Sequence, residues 1–82
     1  MNSEVELVSL NDYKRNYIFN YLKGRWLVKD NHNILIYDIY KDITNNTIEV
    51  YTLNYFIKHK YTFSSIMQLF EHFYNKGYHL QL

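Results

Sequence analysis

The stretch Arg25-Trp26-Leu27-Val28-Lys29-Asp30 decides the fold of this chain. Three bulky apolar residues in a row predict a short strand that is buried on both faces. Side chains alternate along a strand, so Leu27 and Lys29 point to one face of the sheet and the residues beside them to the other. A cation therefore lies at the end of a covered strand. Lys29 either extends its ammonium group to solvent, as is ordinary at a strand end, or meets the negative charge of a ligand.

The composition of the chain excludes several classes of protein. Its length predicts one domain over residues 1–82, and sixteen aromatic side chains give that small domain a dense core. There is no cysteine, which excludes disulfides, thiolate metal sites and cysteine catalysis. A net charge of +1 gives no general attraction to nucleic acid or to an anionic membrane, so neither is an expected partner. No apolar run approaches the length of a membrane span, and we expect a cytoplasmic monomer.

The residues before the central strand predict a first helix over residues 10–23. Apolar side chains recur there at helical spacing and form one face of the helix: Leu10, Tyr13, Tyr17, Ile18, Tyr21 and Leu22. Ser9 is the expected N-cap, with Asp12 in the first turn. Gly24 is placed where a glycine ends a helix, so the helix leads directly into the central strand.

The residues after the central strand predict two further strands. Residues 30–33 are polar and predict a loop, and the branched and aromatic residues 34–40 predict the second strand. An Asn-Asn pair within residues 42–46 supplies turn chemistry, and residues 47–53 predict the third strand. Asn54 interrupts that strand. Residues 55–57 suit a short further strand, and Lys58-His59-Lys60 reads as a solvated basic loop.

A second helix follows, and its boundaries are marked at both ends. Ser64 or Ser65 is the expected N-cap, with Gln68 completing a capping box, and Gly77 ends the helix. Residues 78–82 alternate apolar and polar residues and suit an edge strand. The order helix, three antiparallel strands, helix predicts an α+β fold. A small central antiparallel sheet is flanked by two helices, one expected on each face.

Two families share this order of elements, and one of them fails on charge. The double-stranded RNA-binding domain grips phosphates with a basic cluster at the start of its second helix. Phe63-Ser64-Ser65-Ile66-Met67 contains no lysine or arginine at that position. The sequence therefore argues against an RNA-binding domain of this type.

The other family matches individual residues. The chain resembles a Src-homology-2 (SH2) domain, the module that binds phosphotyrosine peptides, over about residues 9–82. The stretch from Arg25 to Asp30 looks like the Gly-x-Phe-Leu-Val-Arg strand of the family, and Ile48-Glu49-Val50-Tyr51-Thr52-Leu53 is similar to its Val-x-His-Tyr-x-Ile strand. The stretch from Phe63 to Phe73 is similar to its Phe-x-Ser-Leu-x-x-Leu-Val-x-His-Tyr helix, and Gly77-Tyr78-His79-Leu80 to its closing segment.

The resemblance implies a phosphotyrosine site between the sheet and the first helix. Lys29 takes the position of the family's phosphate-binding arginine. An arginine can donate two parallel hydrogen bonds to a phosphate, whereas a lysine offers a single mobile charge. The residues that the resemblance assigns to phosphotyrosine binding are Lys29, Asn31, His32, Asn33, Arg15, Lys14 and Thr52, and those that flank the peptide are Tyr51, Lys58 and Lys60. Loss of binding in Lys29→Ala and tighter binding in Lys29→Arg are the expected results.

Several family cations are replaced here, which leaves two functions open. Leu10 or Asn11 stands where the family has an arginine in its first helix, and Val50 and Thr52 replace a histidine and a lysine. The first function is a stand-alone phosphotyrosine reader, a competitor or an adaptor in tyrosine-kinase signalling. The alternative is a degenerate SH2-like domain that binds proteins without reading phosphate.

The sequence gives no sign of catalysis. No Ser-His-acid or paired-carboxylate arrangement is present, and the four histidines lack metal-ligand spacing, so we expect no enzyme, no cofactor and no metal. His72 is expected to serve packing. About half of the residues are Asn, Ile, Lys, Tyr or Phe, all with AT-rich codons. That bias fits an AT-rich genome, with viruses among the candidates. In that case the domain would antagonise host signalling in the host cytoplasm.

Overall fold

The computed structural model describes residues 17–81, which form one five-stranded antiparallel sheet and two helices. In chain order the elements are helix α1, described at residues 17–22, then β1 (Trp26–Lys29), β2 (His32–Asp42), β3 (Thr47–Asn54), β4 (Ile57–Phe63), helix α2 (Ile66–Asn75) and β5 (His79–Leu80). The strand order across the sheet is β4-β3-β2-β1-β5. The predicted α+β class, with a small antiparallel sheet flanked by two helices, is confirmed.

The described ends of both helices have the capping residues that the sequence predicts. Gly24 follows α1 with φ +87°, a backbone angle that favours glycine. The Ser65 hydroxyl oxygen accepts a hydrogen bond from the backbone N–H of Gln68 at 3.1 Å, and Gln68 Oε1 accepts one from the N–H of Ser64 at 2.7 Å. Gly77 follows α2 with φ +90°. The predicted start of α1, from Ser9 to residue 16, lies outside the described residues.

The link between β1 and β2 is shorter than predicted. Lys29 pairs with His32, so only Asp30 and Asn31 lie in the turn. Asp30 adopts φ +49°, which lets the chain reverse in two residues, and aspartate tolerates this left-handed region. The predicted loop over residues 30–33 is therefore wrong in its second half, because His32 and Asn33 belong to β2.

The prediction for residues 54–60 is also wrong. β3 continues through Asn54, which pairs with Ile57 across a two-residue turn, and the basic stretch of residues 58–60 lies in β4. Tyr55 makes the turn with φ +57°. Because an aromatic residue there gives no turn signal, the sequence suggested a strand where the chain turns and a loop where it forms a strand.

All buried apolar side chains of the sheet lie on one face. Residues opposite each other in antiparallel strands share a face, and the pairs Leu27–Ile34, Ile39–Val50 and Ile48–Phe63 are each buried. A β-bulge between Ile36 and Asp38 inserts one extra residue into β2. The bulge keeps Ile36 and Ile39 on this same face although they are three residues apart.

Both helices cover that face. Phe19 and Leu22 of α1 and Leu69 and Phe73 of α2 belong to the same core cluster as the buried sheet residues. We therefore call it the helix face. The expectation of one helix on each face is wrong: within residues 17–81 the opposite face carries no helix.

The opposite face, which we call the open face, carries aromatic and charged side chains. Its members include Trp26, Tyr40, Glu49, Tyr51, Lys58 and Lys60. The Tyr40 and Tyr51 rings stack at 5.9 Å, and Glu49 accepts a hydrogen bond from the Thr62 hydroxyl at 2.8 Å and lies 3.6 Å from the Lys60 ammonium. The alternation of β3 thus places Ile48, Val50 and Thr52 in the core and its charged and aromatic residues outside it. Neither helix, in the part of the chain described, is long and apolar enough to cross a bilayer.

Candidate functional site

A cleft of about 350 Å³ opens on the helix face, between β2, β3, β4 and the C-terminal end of α2. Nine residues line it: Ile34, Thr52, Asn54, His59, Tyr61, His72, Phe73, Lys76 and Tyr78. They fall into a polar floor, aromatic walls and a basic rim. None of the nine is acidic.

Two polar atoms at the floor have no hydrogen-bond partner within residues 17–81. Thr52 Oγ1 and Asn54 Oδ1 are both buried, and Thr52 as a whole is only 1% exposed. They stand two residues apart on β3, so the pleat directs both to the helix face. A buried polar group without a partner costs about 1–3 kcal/mol, which a ligand with matching polar atoms recovers. The floor is therefore suited to a polar ligand group.

Aromatic rings form the walls. The Phe73 ring meets the Tyr61 ring edge-on at 5.3 Å and the Tyr78 ring at 6.0 Å between centroids. The His72 ring lies 5.4 Å from that of Tyr61. Rings fixed by such edge-to-face contacts keep their orientation, and they give a planar ligand group surfaces against which to pack.

Three basic side chains surround the opening. His59 comes from β4, while His72 and Lys76 lie one helical turn apart at the end of α2. Burial lowers the pKa of His72, and the nearby positive charge of Lys76 lowers it further. His72 is thus neutral near pH 7 in the free protein, and a bound anion would favour its protonated form. The rim attracts negative charge.

Lys29 lies next to the cleft but does not line it. Its aliphatic chain runs over Gly77, where a β-carbon would lie 3.5 Å from Lys29 Cε, and its ammonium group is 5.5 Å from the centroid of the Tyr78 ring. One wall of the cleft, Tyr78, therefore separates this cation from the interior. Lys29 forms no ion pair with a carboxylate of residues 17–81.

The residues predicted from sequence for the phosphotyrosine site are divided between the two faces of the sheet. Thr52, Lys29 and His32 lie on the helix face, by the register of β1, β2 and β3. Asn31 and Asn33 line a separate groove of about 270 Å³ with Trp26, Leu53 and Tyr55. Lys14 and Arg15 lie outside the described residues. Of the predicted residues that lie within residues 17–81, only Thr52 lines the cleft.

The residues predicted to flank a peptide all lie on the open face. The Lys60 ammonium is 6.0 Å from the centroid of the Tyr51 ring, and the Lys58 ammonium is 5.6 Å from that of Tyr37. These cation–aromatic contacts place the three predicted residues on the side of the sheet away from the cleft. A peptide bound in the cleft would reach them only by passing around the β3–β4 turn or over the outer edge of β4, which is an edge strand.

Sequence reasoning missed most of the residues that line the cleft. Period-two alternation does connect Thr52 with Asn54, and His59 with Tyr61, but only if residues 57–63 are recognised as a strand. The spacing of four residues between His72 and Lys76 placed them on one side of the helix. That signal was present in the sequence.

No group of three metal-ligating side chains occurs among the residues that the structure describes. Comparison with protein-family models, with curated proteins and with solved structures finds no match. The resemblance to SH2 domains therefore stays a prediction, and what the domain binds has to be inferred from the chemistry of its cleft.

Proposed function

We propose that this chain is a phosphotyrosine-binding module and that the cleft between the sheet and α2 receives the phosphorylated side chain. The observation that carries the proposal is the pair of buried, unpartnered polar atoms, Thr52 Oγ1 and Asn54 Oδ1, beneath a basic rim. This location differs from the one implied by the SH2 resemblance, which puts the phosphate between the sheet and the first helix.

The chemistry of the cleft matches a phenyl phosphate group. The Thr52 hydroxyl can donate to a phosphate oxygen, and the Asn54 amide can rotate to present its N–H group. Lys76 supplies a positive charge, and His72 supplies a second one when it is protonated. The aromatic walls suit the ring that joins phosphate to peptide. Phosphoserine and phosphothreonine lack that ring, so phosphotyrosine is the favoured ligand.

Such a module acts by occupying phosphotyrosine sites. We infer no catalytic step, so binding itself is the activity, either as an adaptor or as a competitor that excludes other readers. Tyrosine kinases and their substrates are exposed to the cytoplasm, which is the proposed location. If the AT-rich codon bias reflects a viral genome, the competitor role becomes antagonism of host signalling.

The test is a titration of phosphorylated and unphosphorylated forms of the same tyrosine peptides, followed by fluorescence anisotropy. Thr52→Val is expected to weaken binding of the phosphorylated form by on the order of tenfold or more, because it removes a donor to a charged group. Thr44→Val, the same change on the exposed β2–β3 turn, is the matched control and should bind as the wild type does. Equal affinity of the wild type for both peptide forms would refute the proposal.

Lys29→Ala separates the two possible positions of the phosphate. If phosphate binds in the cleft, this variant should lose less affinity than Lys76→Ala, since Lys29 lies behind the Tyr78 ring. If phosphate binds where the SH2 resemblance implies, the order of the two losses is reversed.

The affinity is expected to depend on pH through His72. Its pKa is lowered in the free protein by burial and by Lys76, and a bound dianion raises it, so binding takes up a proton. Affinity should therefore rise as the pH falls from about 7.5 towards about 6, below which phosphate itself becomes protonated. His72→Gln should flatten the profile, as followed by titration at several pH values. An unchanged slope in that variant would exclude His72 from the site.

The same pKa shift has a consequence for stability. The folded protein holds a proton on His72 less tightly than the unfolded chain does, so its contribution to stability is present at neutral pH. That contribution is lost as the pH falls below about 6.5, the ordinary histidine pKa, and through the lowered pKa of His72 in the folded protein.

A second candidate function is binding to a protein partner without reading phosphate. The observation that favours it is the open face, where Trp26 and Tyr40 are exposed beside charged groups that already pair with each other. This alternative predicts binding that resists phosphatase treatment and is unchanged in Thr52→Val.

A further inference from the structure

The turn between β3 and β4 exposes three consecutive apolar side chains. Phe56 is 99% exposed, Tyr55 is 76% exposed and Ile57 is 58% exposed. We call residues 55–57 the tip. A lone exposed apolar residue is ordinary on a protein surface, but three in sequence at the end of a hairpin form a protruding apolar knob.

The backbone of the tip is strained at Tyr55. Tyr55 adopts φ +57°, a left-handed region that glycine and asparagine tolerate and that strains a bulky side chain. Neither the Tyr55 ring nor the Phe56 ring recovers that cost by packing in the core. Strain and exposure together indicate that the tip is shaped for contact with something outside this chain.

The charged residues that directly follow the tip in sequence are basic. Lys58, His59 and Lys60 follow it directly and are all exposed. The sequence contains no aspartate or glutamate between Glu49 and Glu71. Lys60 lies near Glu49, while the Lys58 ammonium approaches the Tyr37 ring. Within residues 17–81, Lys58 is thus the lysine beside the tip that no carboxylate neutralises, a local positive charge that the near-neutral net charge of the chain does not reveal.

We propose that the tip inserts into the interfacial region of an anionic lipid bilayer, with the Lys58 ammonium group at the level of the headgroups. Aromatic side chains favour this interface, and lysines next to a buried apolar group are attracted to acidic headgroups. A protein pocket would have to be concave around a fully exposed Phe56, whereas a bilayer accepts a convex knob without a preformed cavity. The observations therefore favour a membrane over a protein socket.

Membrane contact would also place the candidate cleft near the lipid surface. Asn54 and His59, which flank the tip in sequence, both line the cleft. The membrane proposal itself does not rest on phosphotyrosine binding, and its test contains no phosphopeptide.

The experiment is sedimentation of the protein with vesicles of phosphatidylcholine and phosphatidylserine, compared with vesicles of phosphatidylcholine alone. The wild type is expected to bind the mixed vesicles, and Phe56→Ser should lower its partition coefficient by on the order of tenfold or more. Ile43→Ser is the matched control: Ile43 is 85% exposed on the β2–β3 turn, at the opposite end of β3, and its loss should leave partitioning unchanged.

The contribution of charge to vesicle binding is tested separately. Lys58→Ala should weaken binding to the mixed vesicles and reduce its dependence on salt. Two outcomes overturn the proposal: no binding of the folded wild type to mixed vesicles, or binding that Phe56→Ser and Ile43→Ser leave equally intact. The first outcome would favour instead the binding of the tip in a pocket of a protein partner. Because Phe56 packs against nothing in the core, its variant should remain folded, which the fluorescence of Trp26 can verify.

Discussion

Replacing Phe73 with alanine is expected to lower the free energy of unfolding by about 3–5 kcal/mol. Phe73 is 1% exposed and belongs to the core cluster shared by the sheet and both helices. Its ring meets the rings of Tyr61, Phe63 and Tyr78 edge-on, so it joins α2 to β4 and to the segment that leads into β5. Truncation would leave a cavity among rings that cannot all collapse into it.

Such a loss is a large part of the stability of a domain of this size. Urea unfolding followed by Trp26 fluorescence measures it. Tyr74→Ala is the control on the same helix. Tyr74 is half-exposed, and its ring stacks on that of Phe70 and lies 6.5 Å from that of His79, so the expected cost is below about 1 kcal/mol. Similar costs for the two variants would mean that α2 does not dock through Phe73.

Reversing the charge of Lys76 is expected to lower phosphotyrosine affinity by on the order of a hundredfold. Lys76→Glu removes the permanent cation of the rim and places a carboxylate beside the phosphate. The same change at the helix C-terminus costs a few tenths to about 1 kcal/mol of stability, because a negative charge there opposes the helix dipole. The fold should therefore survive, which the far-ultraviolet circular dichroism spectrum can show.

The matched control for net charge is Lys41→Glu. Lys41 lies on β2 opposite Ile48 of β3, near the β2–β3 turn and away from the cleft. The Lys41→Glu change therefore alters the net charge by the same amount without touching the site. Titration with one phosphotyrosine peptide at constant ionic strength compares the two variants. Equal weakening by both would reduce the role of Lys76 to long-range attraction.

The features predicted correctly from sequence are those with strong local signals. Glycines 24 and 77 end helices because they adopt left-handed backbone angles that other residues avoid. Ser65 begins α2 because its hydroxyl oxygen satisfies a free N–H group of the first turn. Three bulky apolar residues in a row predict β1 correctly as a strand, but its predicted burial on both faces is wrong, because Trp26 is exposed on the open face. Each signal acts within a few residues, so neither the rest of the fold nor a ligand is needed to interpret it.

The features that were missed depend on the fold as a whole. Tyr55 turns the chain at a positive φ angle that a tyrosine rarely adopts, so its residue type gives no turn signal. The sequence therefore predicts a loop for residues 58–60, which belong to a strand. Both helices share one face because β3 buries Ile48, Val50 and Thr52 on a single side. The aromatic residues of the other side concealed this pattern, since Tyr51 and Leu53 look equally suited to a core.

The site was predictable only in part for the same reason. The sequence predicts Thr52 as a site residue, and Thr52 does line the cleft, whereas the sequence places Asn54 at an interruption of the strand. Lys76 stood outside the motifs that the SH2 resemblance covers. The cleft brings together residues from β2, β3, β4 and α2, so the register of the sheet has to be known before they can be assembled.

The most direct test of the central claim is a two-dimensional NMR titration of the labelled protein with phenyl phosphate, with phenol as the matched control. If the cleft binds a phosphorylated aromatic ring, the amide signals of Thr52, Asn54 and His59 and the side-chain signals of His72 should shift with phenyl phosphate and not with phenol. Equal shifts with both compounds, or shifts confined to the surroundings of Asp30 and Asn31, would contradict the account.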